Sequence, residues 1–310
     1  MRRCPAPEFR LDTTLASGQV FRWQQVDEWY YGVIAGALVK ISQRDDTLHF
    51  DSHDPRLTDE RLTQYFALDQ DLDQVLASID HDDHMHAAIL AHRGLRLIRQ
   101  EPWECTASYL LTAFNNIQRI TRIIENLCQQ FGRPITFEGW RTYTFPSPET
   151  IADVPLGRLG LLGLGFRAAH LAAVARRFAD RSFRPEDVRG APYAVVKQRL
   201  MELPGIGDKV ADCIALFAFQ RYEAFPIDVW VRRALALYLP KEQLTLKRMH
   251  AFAAAHFGAH AGYAQQYLYH ALRQRAEQTR YHPTLAKLRM HSRLLMRPIA
   301  AETPVNSGAD

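Results

Sequence analysis

The sequence predicts an α+β protein, with an N-terminal antiparallel β domain followed by a mainly α-helical domain. Three observations carry this reading. β-Branched and aromatic runs crowd the first fifty residues, a helical apolar period governs most of the rest, and a Pro-Gly-X-Gly turn opens directly into one of the helical stretches. With 310 residues, 47% of them apolar, the chain can supply about two domains and a sizeable core. The expected boundaries are 1–98 for the β domain with trailing helices and 99–299 for the helical domain. A small, polar and disordered tail is expected over 300–310.

Within the first part, runs at 20–25, 29–35, 38–42 and 48–50 are separated by Asp-Glu, Gly and Asp-Asp turns, which predicts an antiparallel meander. Beyond residue 55, apolar residues recur at three- and four-residue spacing over 103–114, 117–131, 166–178, 194–203 and 210–219, each a predicted helix. Gly132 and Gly205 read as helix stops. Ser147 before Pro148, and Pro192, read as helix starts. There is no internal repeat.

Charge and cysteine usage narrow the function. The formal net charge is +4, unevenly spread: residues 1–100 carry −5 and the remainder +9. The positive charge therefore travels with the predicted helical part, as an electrostatic footprint on nucleic acid requires, although chance asymmetry gives the same pattern. The stretch 273–297 holds seven basic residues and one acid, Glu277, and reads equally as a solvated tail or a DNA contact. Cys4, Cys105, Cys128 and Cys213 form no C-x-x-C pair, so neither a zinc site nor an iron–sulfur cluster is supported. No metal and no cofactor are expected. His81, His84 and His86 lie among Asp80, Asp82 and Asp83, a solvated face before it is a metal site. No signal peptide follows Met1 and no run reaches membrane-spanning length. The expectation is a monomeric, thiol-reduced protein of the cell interior, in the cytoplasm or nucleoid if bacterial, without membrane association.

The most informative stretch is Leu203-Pro204-Gly205-Ile206-Gly207-Asp208-Lys209-Val210-Ala211-Asp212-Cys213. A Pro-Gly-X-Gly turn at a helix start turns backbone N–H groups, here at Gly205, Gly207 and Val210, toward an anion such as a phosphate. Lys209 sits just inside that helix. Pro226-Ile227-Asp228-Val229 places a carboxylate nineteen residues later, at the start of the next helical run. An anion site beside an amine and a carboxylate suits chemistry on a nucleic-acid backbone. The plainer roles are a phosphate-binding lysine and an N-cap aspartate.

These two motifs resemble the helix-hairpin-helix and Gly/Pro-rich-Asp signature of base-excision DNA glycosylases, and most closely the 8-oxoguanine DNA glycosylase/AP lyase family. Five further segments resemble that family in the same order over roughly residues 8 to 275. They are Ser17-Gly18-Gln19-Val20-Phe21-Arg22-Trp23, Arg96-Leu97-Ile98-Arg99-Gln100-Glu101-Pro102 with Glu104-Cys105, Asn115-Asn116-Ile117-Gln118-Arg119-Ile120-Thr121, Leu162-Gly163-Leu164-Gly165-Phe166-Arg167 and Ala261-Gly262-Tyr263-Ala264-Gln265. The resemblance implies a helix-hairpin-helix glycosylase domain and damaged double-stranded DNA as partner. The implied activity is removal of 8-oxoguanine, followed by strand cleavage through a lysine Schiff base. A glycosylase for alkylated purines, or a non-catalytic hairpin DNA-binding protein, are the alternatives.

The resemblance also assigns roles. Lys209 is the nucleophile: it must be neutral part of the time, and a helix N-terminus and partial burial both favour the neutral amine. Asp228 stabilises the developing positive charge at the sugar. Gly18 offers a backbone carbonyl to the N7–H that distinguishes 8-oxoguanine from guanine. Gln265 bonds the Watson–Crick edge of the base, while Tyr269 and Cys213 cover its two faces. Arg119 and Arg167 match the arginines that read the estranged cytosine. The chain departs from the family at Phe114, where an asparagine wedge is expected, and at Trp230 and Leu272, where a histidine–carboxylate pair is expected. Phe114 is either a stacking wedge or simply core beside Trp103, Leu110 and Leu111, and in the second case Asn115 is the wedge.

Overall fold

Val33, Leu38, Ile41, Leu48 and Phe50 are apolar residues that a pleated strand carries to one layer or the other, and all are buried in the sheet. The computed structural model describes residues 1–281. Five strands, β1 (Arg2–Pro5), β2 (Gln24–Val26), β3 (Trp29–Ile34), β4 (Ala37–Arg44) and β5 (Thr47–Ser52), form an antiparallel sheet in the order β1-β5-β4-β3-β2. Register is fixed by pairs such as Val33 with Leu38 and Ile41 with Phe50. The last four strands are the expected meander.

Two details differ from expectation. Strand β1 was not foreseen: it is a short edge strand with only Cys4 buried, so it has no alternating signature. The run 20–25 is mostly not a strand. Trp23 leaves the sheet and lies over Gly32, where a Cβ would meet the indole at 2.3 Å, and its Nε1 donates to the Tyr65 hydroxyl. Only Gln24–Val26 pairs.

A short helix α1 (Leu11–Ala16) precedes β2. Helices α2 (Asp59–Tyr65), α3 (Leu72–Ala77) and α4 (Asp83–His92) follow the sheet, each with a capping side chain: Thr58, Asp71 and Asp82. The three histidines near α4 do not converge. His86 pairs with Asp80, whereas His81 and His84 stack edge-on against His256 and Tyr238.

The predicted helical periods become α5 (Pro102–Leu110), α6 (Ile117–Phe131), α9 (Arg167–Ala179), α11 (Tyr193–Met201) and α12 (Asp208–Phe219). Ser147 caps α7 (Pro148–Ala152), Pro192 precedes α11, and Gly132 ends α6, all as read from the sequence. Gly205 is not a stop: α11 has already ended at Met201, and Gly205 lies in the following turn. The hairpin β6 (Pro134–Phe137) and β7 (Trp140–Tyr143) was not predicted. Short α8 (Leu156–Leu159) and α10 (Pro185–Val188), then α13 (Val229–Leu235), α14 (Leu246–Phe257) and α15 (Ala261–Tyr281), complete the order. Helix α12 is apolar nearly all round and packs between α5 and α11.

Met1–Ala271 forms one compact unit. Of the second, Leu272–Asp310, the described part is the end of α15, with Arg273 Nε paired to Glu277 at 3.1 Å. The expected tail 300–310 and most of the basic stretch 273–297 lie outside the described residues.

Inside the first unit, a single buried amide fastens the loop after α1 to the chain entering α5. Gln19 is 1% exposed. Its Nε2 donates to the Arg96 carbonyl at 2.9 Å and its Oε1 accepts from the Ile98 N–H at 2.7 Å. Its own carbonyl accepts from Gln100 Nε2 at 2.7 Å and the Tyr109 hydroxyl at 3.0 Å. Replacing Gln19 by Leu strands the Ile98 N–H and Arg96 carbonyl, and chemical denaturation is expected to show a loss of about 2–4 kcal/mol.

Candidate active site

The hairpin between α11 and α12 is built around one glycine that nothing else can replace. Gly205 has φ +80, and a Cβ there would lie 2.6 Å from the imidazole of His170 on α9. The turn closes with the Ile206 N–H on the Leu203 carbonyl, and α12 starts at Gly207, which has no side chain to satisfy the first-turn N–H groups. A Cβ on Gly207 would meet nothing within 4 Å, so a ligand can approach this backbone closely. Val210, in the first turn, is buried.

Lys209 is half-buried. Its Nζ donates to Thr112 Oγ1 at 3.1 Å and lies 5.8 Å from the Tyr109 ring centre. One turn on, the Cys213 thiol is pushed up to about 11, chiefly by burial; the Lys209 charge pulls it down and the Asp228 charge raises it. Lys209, Cys213 and Asp228 therefore share one electrostatic neighbourhood. Asp228 is the N-cap of α13, accepting the Val231 N–H at 2.8 Å on one carboxylate oxygen and leaving the other for further contacts.

Three further residues assigned to the base are Gly18, Gln265 and Tyr269. Gly18 has φ +81 and is held between Ser17, whose carbonyl accepts from Gln266 Nε2 at 2.8 Å, and the buried amide of Gln19. Gln265 on α15 is 5% exposed, and among the described residues its Oε1 has no hydrogen-bond partner, an acceptor buried without a donor. Tyr269, one turn along, is half-buried. Burial first, then Cys213 and Tyr269 among its charged-form neighbours, raise the Tyr109 phenol well above its ordinary range, so Tyr109 adjoins both.

The remaining assignments fall on the connection from α5 to α6. Helix α5 ends at Leu110, before the predicted 114, and Phe114 sits beyond it at φ +51 with 94% of its surface exposed. The reading of Phe114 as core is overturned: among the described residues nothing covers its ring. Asn115 is half-buried, its Nδ2 donating to the Leu111 carbonyl, while Asn116 caps α6. Arg119 is exposed. Arg167 is only 5% exposed, and its guanidinium donates to the carbonyls of Ala113 (2.9 Å from Nε) and Phe114. Burial, reinforced by the nearby Arg119 charge, lowers its pKa. In this structure Arg167 clamps the turn that displays Phe114, with hydrogen bonds to the carbonyls of Ala113, Phe114 and Leu164. Trp230 receives the Arg233 guanidinium 4.7 Å from its ring centre.

Two neighbouring features could be mistaken for the site. Asp208, Asp212 and His250 bring ligand atoms within 4.8 Å of one another. Lys197 Nζ already bridges the two carboxylates at 2.8 and 2.9 Å, so the protein supplies its own cation. A cavity of about 790 Å³ opens between Arg22, Trp23, Tyr65, Arg99, Glu101 and Glu104, and neither Lys209, Asp228 nor Gln265 lines it. Sequence reasoning missed Tyr109, Thr112 and His170. The first two share their run with Thr106 and Ser108, so neither hydroxyl stood out in the sequence.

This arrangement has close counterparts. Residues 2–106 match the 8-oxoguanine DNA glycosylase N-terminal domain and residues 107–254 the HhH-GPD superfamily of base excision DNA repair proteins. The chain is 30% identical over 304 residues to the "Probable N-glycosylase/DNA lyase" of Methanothermobacter thermautotrophicus, covering 87% of this chain and 96% of that one. It is 27% identical to the N-glycosylase/DNA lyase of Saccharomyces cerevisiae, over 84% and 83% of the two chains. The Clostridium acetobutylicum 8-oxoguanine glycosylase/lyase, solved with duplex DNA containing cytosine opposite 8-oxoguanine, superposes with a TM-score of 0.83 at 25% identity, over 89% of this chain and 99% of that one. The chain belongs to the 8-oxoguanine DNA glycosylase family of the HhH-GPD base-excision repair superfamily.

Proposed function

We propose that this protein is a bifunctional DNA glycosylase/AP lyase that excises 8-oxoguanine from duplex DNA, using Lys209 as nucleophile. The observation that carries the reading is a half-buried amine held on Thr112, whose charge acts with that of Asp228 on Cys213, together with the unpartnered Gln265 Oε1 buried in the same helical body. An amine held in reach of a sugar carbon is what a glycosylase needs to become a lyase. A buried acceptor lacking a donor suits a base that brings N–H groups to it.

In this reading the target nucleotide leaves the stack and its phosphates rest on the first-turn N–H groups of α12. Gly18 offers its carbonyl to the N7–H of the oxidised base, while guanine would present a lone pair there. Gln265 bonds the Watson–Crick edge, and Tyr269 and Cys213 cover the faces. The lone pair of neutral Lys209 Nζ forms a bond to C1′ as the glycosidic electron pair departs with the base, which takes up a proton. Asp228 stabilises the positive charge that develops on the sugar. The resulting ammonium gives up one proton, and its lone pair then forms the C1′=N bond as C1′–O4′ breaks and O4′ takes up a proton, which leaves a protonated imine. Loss of a C2′ proton then expels the 3′ phosphate and nicks the strand. Borohydride is expected to trap the enzyme–DNA imine, and Lys209→Gln to abolish trapping while DNA binding persists. Trapping at the wild-type level in that variant would assign the nucleophile elsewhere.

Phe114 fills the hole left by the flipped nucleotide in this reading. A phenyl ring stacks on bases but carries no polar edge for cytosine, so opposite-base preference is expected to be looser than with an asparagine wedge. Stacking of this kind is worth about 1–3 kcal/mol, so Phe114→Ala should lower excision roughly 5- to 160-fold. Phe114→Asn should sharpen the excision ratio between opposite bases, and neither change should lower the melting temperature, because the ring is exposed and asparagine tolerates the positive φ at this position. Excision assays against four opposite bases, paired with thermal melts, check this; unchanged rates in both variants would remove Phe114 from the interface.

A further inference from the structure

The Lys209 amine is tethered by a hydroxyl whose direction is already decided. Nζ donates to Thr112 Oγ1 at 3.1 Å, and that oxygen lies 2.7 Å from the Tyr109 carbonyl. A carbonyl can only accept, and a threonine hydroxyl has one proton, so the proton goes to Tyr109 and a lone pair faces the amine. The acceptor cannot turn away without losing its own bond. Tyr109 is in turn immobilised: its ring stacks on Phe217 with centres 5.4 Å apart and planes 9° from parallel, and its hydroxyl donates to the Gln19 carbonyl at 3.0 Å. Tyr109 lies in the last turn of α5 and Thr112 in the turn that follows it, where the Thr112 N–H also bonds the Tyr109 carbonyl, at 3.0 Å. This one turn thereby joins the loop carrying Gly18 to the amine.

Resting on the assignment of Lys209 as nucleophile, we infer that Thr112 is a positioning residue for the covalent step. A neutral amine has two N–H bonds and one lone pair. Anchoring one N–H on Thr112 confines the lone pair to a narrow cone whose axis is set by α5, the element that also fixes the Gly18–Gln19 segment. The amine and the base-reading carbonyl are therefore registered to one rigid part, and a base seated correctly at Gly18 brings its C1′ to a lone pair already aimed. Thr112 touches neither base nor sugar in this account; it acts through Lys209. A hydroxyl that only finished α5 by bonding the i−3 carbonyl would serve the helix end and leave the reaction untouched.

The test is single-turnover cleavage and borohydride trapping on 8-oxoguanine duplex with wild type, Thr112→Val, Thr112→Ala, Thr112→Ser and Lys209→Gln. Val keeps the shape and loses the acceptor, Ala loses it with less crowding should Val fold poorly, and Ser retains it. We expect the maximal single-turnover rate of Val and Ala to fall about tenfold, the scale of one lost directional hydrogen bond, with the half-saturating DNA concentration unchanged and Ser restoring the rate. Wild-type maximal rates in Val or Ala, or failure of Ser to restore them, would overturn the inference. Undiminished trapping in Lys209→Gln would instead overturn the nucleophile assignment, so the two failures are separable.

Discussion

The site depends on the constraint imposed by Gln19, a neutral side chain buried where every polar atom must find a partner. Its amide joins Arg96 and Ile98, and its carbonyl collects Gln100 and Tyr109. Buried amides are costly unless satisfied, and a satisfied one admits few alternative arrangements. The segment 95–100 is thus pinned on one side by Gln19. Elsewhere along it, the Arg99 N–H bonds the Tyr65 carbonyl and the Gln100 N–H bonds the Phe217 carbonyl. Sheet, first helices and α12 meet on this one extended strip. The loop with Gly18 inherits its position from it.

A second, charged constraint orients the hairpin. Lys197 on α11 spans Asp208 and Asp212 on α12, and His250 on α14 approaches Asp208 at 3.0 Å. Asp212 is fully buried and also accepts from Tyr193 at 2.5 Å. Burial alone would lower the Lys197 ammonium, yet the two carboxylates outweigh it and raise it; Lys197 and His250 likewise outweigh burial at Asp208 and hold it low. The ammonium therefore stays charged between its partners. Because Asp208 precedes Lys209, the clamp fixes the first turn of α12 on one flank while Thr112 fixes the amine on the other.

How much of this was legible in the sequence depended on whether a signal was local. Helix α6 follows its apolar period from Ile117 to Phe131 and stops at Gly132, because period and cap agree. The α11–α12 hairpin was readable because Pro204, Gly205 and Gly207 have few other uses in that order. Strand β1 was not, since its partner β5 lies more than forty residues away and its own residues are Arg2, Arg3 and Pro5. Tyr109 and Thr112 were hidden for a related reason. Their hydroxyls matter only through Gln19 and Lys209, and nothing within α5 itself announces either. The Arg167 clamp on Ala113 is a contact across more than fifty residues.

Phe114 shows how an apolar period can mislead at a helix end. Its phenyl continues the spacing of Trp103, Leu110 and Leu111, so the pattern extends the helix to 114. The backbone departs after Leu110, and Phe114 adopts φ +51, a region that costs a bulky residue on the order of 1–2 kcal/mol. A fully displayed ring recovers none of that from burial in the free protein. What holds the turn is polar and lies behind the ring: Arg167 on two successive carbonyls and Asn115 on the Leu111 carbonyl. A side chain that is strained, uncovered and yet braced from behind gains its stabilisation only when something flat and apolar arrives to cover it. In the proposed function a base pair with one member missing offers such a surface, and the apolar area left uncovered in the free protein is what stacking there would bury.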